Sequence, residues 1–209
     1  MKALVLVDIQ NDFLPGGALA VPKGDEIIPV ANKLQNYFEL IIATQDWHPQ
    51  NHKSFASNHE GKHPFEIIDL NGLKQTLWPD HCVQGSLGAN FPDELFMDKV
   101  ETIFRKGTNP EIDSYSGFYD NGHQKSTGLA DYLRGRKIDS IYLTGLAGEI
   151  CVFFTGLDSL KEGFETYIVE DAVRPLKEED FKKTNKTFKE QGGKLIESAD
   201  IINEFPHLD

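Results

Sequence analysis

The chain has 209 residues, 39% hydrophobic and 26% charged, the proportions of an ordinary globular protein with room for one sizeable core. Its 21 Lys and Arg against 33 Asp and Glu give a formal charge of −12, which opposes a phosphate backbone and sets nucleic-acid binding aside. Two cysteines cannot make a disulfide scaffold, and no stretch is apolar for long enough to span a membrane, so a cytoplasmic protein with no membrane partner is expected.

The opening MKALVLVDIQ has too short an apolar run for a signal-peptide core and reads as a strand over 2–8. Further β-branched runs predict strands over 39–46, 100–106, 138–145, 165–170 and 194–197. Helices are predicted over 25–38, 126–137, 149–162 and 178–191. The cluster Arg134-Gly135-Arg136-Lys137 falls where the second of these should end, and cations there complement the helix dipole. Continuous apolar strands alternating with amphipathic helices imply an α/β fold, a three-layer α/β/α sandwich around a mostly parallel six-stranded sheet. No repeat or linker interrupts the pattern, so residues 1–209 read as a single domain. The exception is 47–99, rich in Pro, Gly, His and Asn, an irregular stretch long enough to be expected to carry function.

Reactive residues fall at strand ends. Asp8 closes the first strand, Asp46 the second and Lys106 the third, while Cys151 lies in the turn after the fourth. Ligands of open parallel sheets bind outside these carboxyl ends. A thiol at a helix N-terminus beside a lysine is expected to favour the thiolate, and Asp8 could take its proton. Glu149, two residues from Cys151, would oppose this if it pointed inward. Cys82 reads as a structural cysteine.

The second strand runs into TQDWHPQNHKSF. Residues i and i+2 of an extended segment point to one side, and Pro49 keeps His48 extended, so Asp46 and His48 can share a cation. A carboxylate and an imidazole suit Zn²⁺, Fe²⁺ or Mn²⁺.

Several segments together resemble one known family. LVDIQNDFLPGGALAV (6–21), QDWHPQNHKSFA (45–56), LWPDHCVQGSLGA (77–89), FRKGTN (104–109), YSGF (115–118), GLAGEICVFFTGLDSLKEGF (145–164) and VEDAVRP (169–175) are similar, in order, to motifs of the nicotinamidase/isochorismatase-like cysteine hydrolases. The resemblance implies an isochorismatase-like, Rossmann-like fold and a triad of Asp8 as base and acid, Lys106 as its electrostatic partner and Cys151 as nucleophile. It aligns Leu146-Ala147 with a cis peptide bond and makes the backbone N–H groups of Ala147 and Cys151 the oxyanion hole. It selects His81 as the third metal ligand beside Asp46 and His48, one divalent ion with zinc preferred over iron or manganese, and it leaves His52 off the ligand set although some relatives place a fourth ligand in this part of the loop. Phe13, Trp78 and Tyr115 become the walls around a flat substrate. The activity implied is hydrolysis of nicotinamide to nicotinic acid and ammonia through a thioester, in NAD salvage, with pyrazinamide as a second substrate. Another small amide is the alternative within the superfamily, and a metal-binding pseudoenzyme the alternative outside catalysis. A homo-oligomer is compatible with either.

Two features depart from the family pattern or fall outside it. Glu149 and Ile150 stand where many members have an aspartate followed by an aromatic or His. His59, His63, His123 and His207 read as solvated loop histidines.

Overall fold

Strands with no polar face need cover on both sides, and they receive it. The computed structural model describes residues 1–208. In chain order it contains β1 (Lys2–Val7), α1 (Ile28–Leu34), β2 (Leu40–Asp46), β3 (Ile67–Leu70), β4 (Leu73–Thr76), β5 (Val100–Lys106), α2 (Leu129–Gly135), β6 (Ser140–Leu146), α3 (Phe153–Lys161), β7 (Glu165–Arg174), α4 (Glu178–Glu190), β8 (Lys194–Ile196) and α5 (Ser198–Glu204). Six strands form one sheet in the order β5-β2-β1-β6-β7-β8, all pairs parallel.

Alternate residues of the central strands feed opposite faces of the sheet. Leu4, Leu6, Ile41 and Ala43 pack with Ile28, Ala31 and Leu34 of α1 and Ile201 of α5. Ala3, Val5, Leu40, Ile42 and Leu143 pack with Leu129 and Leu133 of α2, Phe153 of α3 and Phe188 of α4. Each fully buried Val, Leu, Ile or Phe among them contributes about 1.5–3 kcal/mol. The result is the expected three-layer arrangement.

The chain winds from β1 outward to β2 and β5, then returns to β6 and winds the other way. The switch falls between β1 and β6, where an open sheet leaves a crevice at its carboxyl edge. Asp8 leaves the first of these strands and Cys151 follows the second.

Some elements differ from the sequence reading. Residues 25–38 are helical only in pieces, with 3₁₀ turns on both sides of α1. β7 extends to Arg174 by resuming its pairing with β6 after a register break at Leu143/Gly145. Helix α5 was not expected; Glu197 and Asp200 cap it reciprocally. The segment 47–99 is largely irregular but contains the β3–β4 hairpin, separate from the main sheet. It is closed on itself by backbone bonds from Ala56 N–H to Trp78 O (2.9 Å) and from Trp78 N–H to Ser54 O (2.8 Å). Among the described residues no helix is long and apolar enough to cross a membrane.

Candidate active site

Strand register brings the charged residues together. Asp46 and Lys106 are direct partners across β2 and β5, and Val7, just before Asp8, pairs with Thr44 on one side and Gly145 on the other. The Lys106 ammonium is fully buried, 2.8 Å from Asp8 Oδ2 and 2.5 Å from Asp46 Oδ1. It also donates to Ser114 O at 2.9 Å and to Cys151 Sγ at 3.6 Å. Thr44 Oγ1 donates to Asp8 Oδ1 at 2.7 Å. Asp8 Oδ2 makes no aligned hydrogen bond, which leaves a lone pair of the carboxylate available to a proton.

One ammonium between two buried carboxylates pushes their proton affinities apart. Burial raises the Asp8 carboxyl above its ordinary range, although Lys106 pulls it down. Burial also opposes ionisation of Asp46, but Lys106 and then His48 outweigh it and hold that carboxyl well below the usual range. Lys106 loses solvation, yet Asp46 and Asp8 hold it charged. The Cys151 thiol is pushed well above its ordinary value by burial, with Lys106 opposing and Asp8 adding to the shift. This differs from the sequence reading of a favoured thiolate. Full burial outweighs the single lysine, so Cys151 favours the thiol and would need a base to act as a nucleophile.

Cys151 sits in a wide π-turn, Gly148–Val152, that opens α3. The Leu146-Ala147 peptide before it is cis, as the motif alignment implies. Glu149 does not face the thiol. Its carboxylate accepts the Lys177 N–H at 2.8 Å and the Leu176 N–H at 3.1 Å, tying the loop after β7 to the nucleophile turn. Burial raises its pKa even with these backbone bonds in place.

On the other side of Asp46, two imidazoles converge. His48 Nδ1 donates to Gly107 O at 2.9 Å and His81 Nδ1 to Pro79 O at 2.8 Å, since carbonyls only accept. Each ring therefore turns Nε2 toward Asp46 Oδ2, at 3.7 Å for His48 and 3.9 Å for His81. Gly107 makes room: with φ of 64°, it approaches the His48 ring so closely that a Cβ would lie 2.3 Å from it. Backbone-anchored Nδ1 atoms and facing Nε2 atoms are the arrangement of metal-binding imidazoles, and with one carboxylate they make a donor set that fits a divalent cation. Burial lowers the His48 pKa but Asp46 more than reverses this, whereas His81 is lowered by burial and by His48.

The buried ring of His52 lies against His48, with centroids 4.5 Å apart. Its Nδ1 accepts the Ser54 N–H at 3.1 Å, while Nε2 has no hydrogen-bond partner. Burial lowers its pKa to about 4. Cys82 is fully buried and its thiol is raised far up by burial, in keeping with a structural role.

A small cavity of about 20 Å³ separates the metal donors from the thiol, lined by Phe13, Leu19, Asp46, Trp78, His81, Asp113, Tyr115, Ala147, Ile150, Cys151 and Leu176. Phe13, Trp78 and Tyr115, the aromatics expected around a substrate, are among these lining residues. That space holds about one water molecule. Sequence reasoning missed Leu19, Asp113, Ile150 and Leu176. It also missed Gln10, whose amide donates to Asp46 O (2.9 Å) and accepts from Asp46 N–H (2.8 Å). Strand register was the only signal for the Asp46–Lys106 pair. A wider groove of about 880 Å³, beside α1 and Phe96, contains none of the charged cluster.

An acid, an amine and a thiol meet at one switch point beside an aromatic-lined cavity, an arrangement suited to amide cleavage by a cysteine hydrolase. Comparison with known proteins agrees. The isochorismatase domain matches residues 2–200. A nicotinamidase of Escherichia coli (strain K12) is 50% identical over 177 residues, 83% of each chain. A solved Acinetobacter baumanii nicotinamidase/pyrazinamidase superposes with a TM-score of 0.93 at 46% identity, covering 96% of this chain and 97% of that one. A Pyrococcus horikoshii pyrazinamidase in complex with zinc gives 0.77 at 42% identity, covering 94% and 98%. The chain belongs to the isochorismatase family and, within it, to the nicotinamidase branch.

Proposed function

We propose that the protein hydrolyses nicotinamide to nicotinic acid and ammonia, through a thioester on Cys151, as a cytoplasmic enzyme of NAD salvage. The observation that carries this reading is Lys106 bridging Asp8 and Asp46 with Cys151 Sγ 3.6 Å away, so that the hydrolytic residues and the metal donors share one carboxylate pair.

Asp8 takes the Cys151 proton as Sγ attacks the amide carbon. The backbone N–H groups of Ala147 and Cys151 are the donors for the oxyanion that forms. Asp8 then protonates the departing nitrogen, releasing ammonia and leaving an acyl-thioester. Asp8 next takes a proton from water as the water oxygen attacks the thioester, and returns it to Sγ as the carboxylic acid leaves. Lys106 stays charged throughout and stabilises each anionic form of Asp8 and Cys151. Phe13, Trp78 and Tyr115 hold the ring flat.

Asp46, His48 and His81 would hold one divalent ion, zinc by preference, iron and manganese being served by the same donors. When bound, the ion supplies a coordination site for a pyridine nitrogen. Pyrazinamide carries a nitrogen at the same position relative to its carboxamide and is the expected second substrate. Residues 1–209 act as one hydrolytic domain.

The test is ammonia release from nicotinamide by purified protein, before and after chelation and after adding back Zn²⁺, Mn²⁺ or Fe²⁺. Turnover lost on chelation and regained with metal is the expected outcome. No ammonia from folded protein with any of the three metals overturns the substrate assignment.

A further inference from the structure

Cys82 is neither nucleophile nor ligand, yet it follows His81 directly and adopts a left-handed backbone with φ of 46°. A non-glycine residue holds this conformation only where its surroundings fix it. Both of its backbone polar groups are committed. Its carbonyl accepts the His48 N–H at 3.0 Å, and its own N–H donates to Asp12 Oδ2 at 2.6 Å. One residue thus joins the two imidazole ligands through the backbone, and a carboxylate from the loop after β1 holds it from behind.

Asp12 is well placed for this. Its other carboxylate oxygen accepts the Ala18 N–H at 3.2 Å. Its backbone N–H donates to Gly88 O and its carbonyl accepts the Leu19 N–H, both at 2.9 Å. Gly88 presses directly on the carboxylate: a Cβ there would lie 2.1 Å from Asp12 Oδ2. Phe13, the next residue, places its ring 5.6 Å from that of His81. The same short segment therefore meets the metal site at Cys82 and the cavity at Phe13 and Leu19.

We propose that Asp12 is a positioning residue for the metal centre, its carboxylate holding the Cys82 N–H and so fixing the turn that seats His81 and His48. The inference rests on Asp46, His48 and His81 being the metal ligands. Asp12 is not one of the three donors and does not line the cavity. It acts through Cys82, in the way outer hydrogen bonds to metal ligands usually set affinity.

The experiment is titration of metal-free protein with Co²⁺, which imidazole and carboxylate donors accept and which reports ligand geometry in its visible spectrum. Four variants are compared with the parent: Asp12→Ala, Asp12→Asn, Gly88→Ala and Asn11→Ala. Asp12→Ala is expected to weaken Co²⁺ binding about 10–100-fold and to shift the spectrum, as for other outer-shell losses. Asp12→Asn retains an acceptor and should fall between Asp12→Ala and the parent. Gly88→Ala displaces the carboxylate without removing it and should act in the same direction as Asp12→Ala, which keeps the inference testable if Asp12→Ala fails to fold. Asn11→Ala removes a neighbouring tether, Asn11 Nδ2 to Leu87 O at 2.9 Å, that does not reach Cys82, and should bind Co²⁺ as the parent does.

Unchanged affinity in Asp12→Ala and Gly88→Ala overturns the inference. So does weaker binding with an unshifted spectrum and a matching fall in the melting temperature of metal-free protein, which would make Asp12 merely structural. Failure of the parent itself to bind Co²⁺ removes the metal assignment first and is distinguishable from both.

Discussion

At the scale of single residues, the chemistry depends on how one ammonium is divided between two carboxylates. Asp46 is held ionised by Lys106 and His48 against burial, which suits a permanent ligand. Asp8 is shifted the other way by burial, toward the higher proton affinity that a general base needs. As the proposed base, Asp8 works only when ionised, and its carboxyl in the folded protein is raised above the ordinary 3.8. Activity is therefore full above that raised value and lost as pH falls through it. The acid limb of kcat/KM, measured with metal saturating at each pH, should lie above 3.8. Lys106→Gln should move the limb higher still, because the charge that favours the carboxylate is gone. It should also cost about 3–5 kcal/mol of stability by leaving buried carboxylates uncompensated. A limb at or below the ordinary carboxylate value would assign the proton transfers to another group.

At the scale of elements, the nucleophile turn is braced by the loop after β7. The Glu149 carboxylate accepts the N–H groups of Leu176 and Lys177, and Leu176 lines the cavity. Glu149→Gln replaces one acceptor by an NH₂ facing an N–H, a loss of about 1–3 kcal/mol for a part-buried backbone donor. Because Leu176 shapes the cavity while Cys151 keeps its own contacts, KM for nicotinamide should rise several-fold with a smaller change in kcat. An equal fall in kcat with KM unchanged would mean that Glu149 acts on the nucleophile itself. The strands were legible because buried parallel strands are continuous apolar runs, and Asp8, Asp46 and Lys106 were legible because such runs end where the sheet meets its ligands. The hairpin β3–β4 was not. Its strands carry Asp69, Lys74 and Gln75 and are only partly buried, so no apolar run marks them. Nor was α5 legible, whose cap is a glutamate rather than Ser, Thr, Asp or Asn. Leu19, Asp113 and Leu176 reach the cavity from loops distant in sequence, and only the folded chain shows that they meet.

At the scale of the whole molecule, the proposed metal donors divide between a rigid part and an irregular one. Asp46 ends a fully buried strand, whereas His48 and His81 belong to the segment 47–99, most of which has no regular structure. The imidazole seats come from backbone carbonyls of that segment and of the turn after β5, at Pro79 and Gly107. A cation bound at the three donors would close a loop between residues 48 and 81 and favour the folded over the unfolded chain by mass action. At a free metal concentration 100 times Kd this is about 2.7 kcal/mol. For a chain of this length each kcal/mol moves Tm by about 2–4 °C, so chelation should lower it by about 5–11 °C. The loss should be local before it is global. Amide exchange at residues 47–56 and 77–90 should accelerate on chelation, while β1, β2 and β6 keep their protection, because their side chains are buried in the two cores and do not depend on the ion. A uniform rise in exchange across the sheet would show that the ion supports the fold as a whole, and no change in Tm would show that no ion is bound at these donors. The localised result is expected because every strand of the sheet has its partners without the ion, whereas the segment above its carboxyl edge that carries His48 and His81 is mostly irregular.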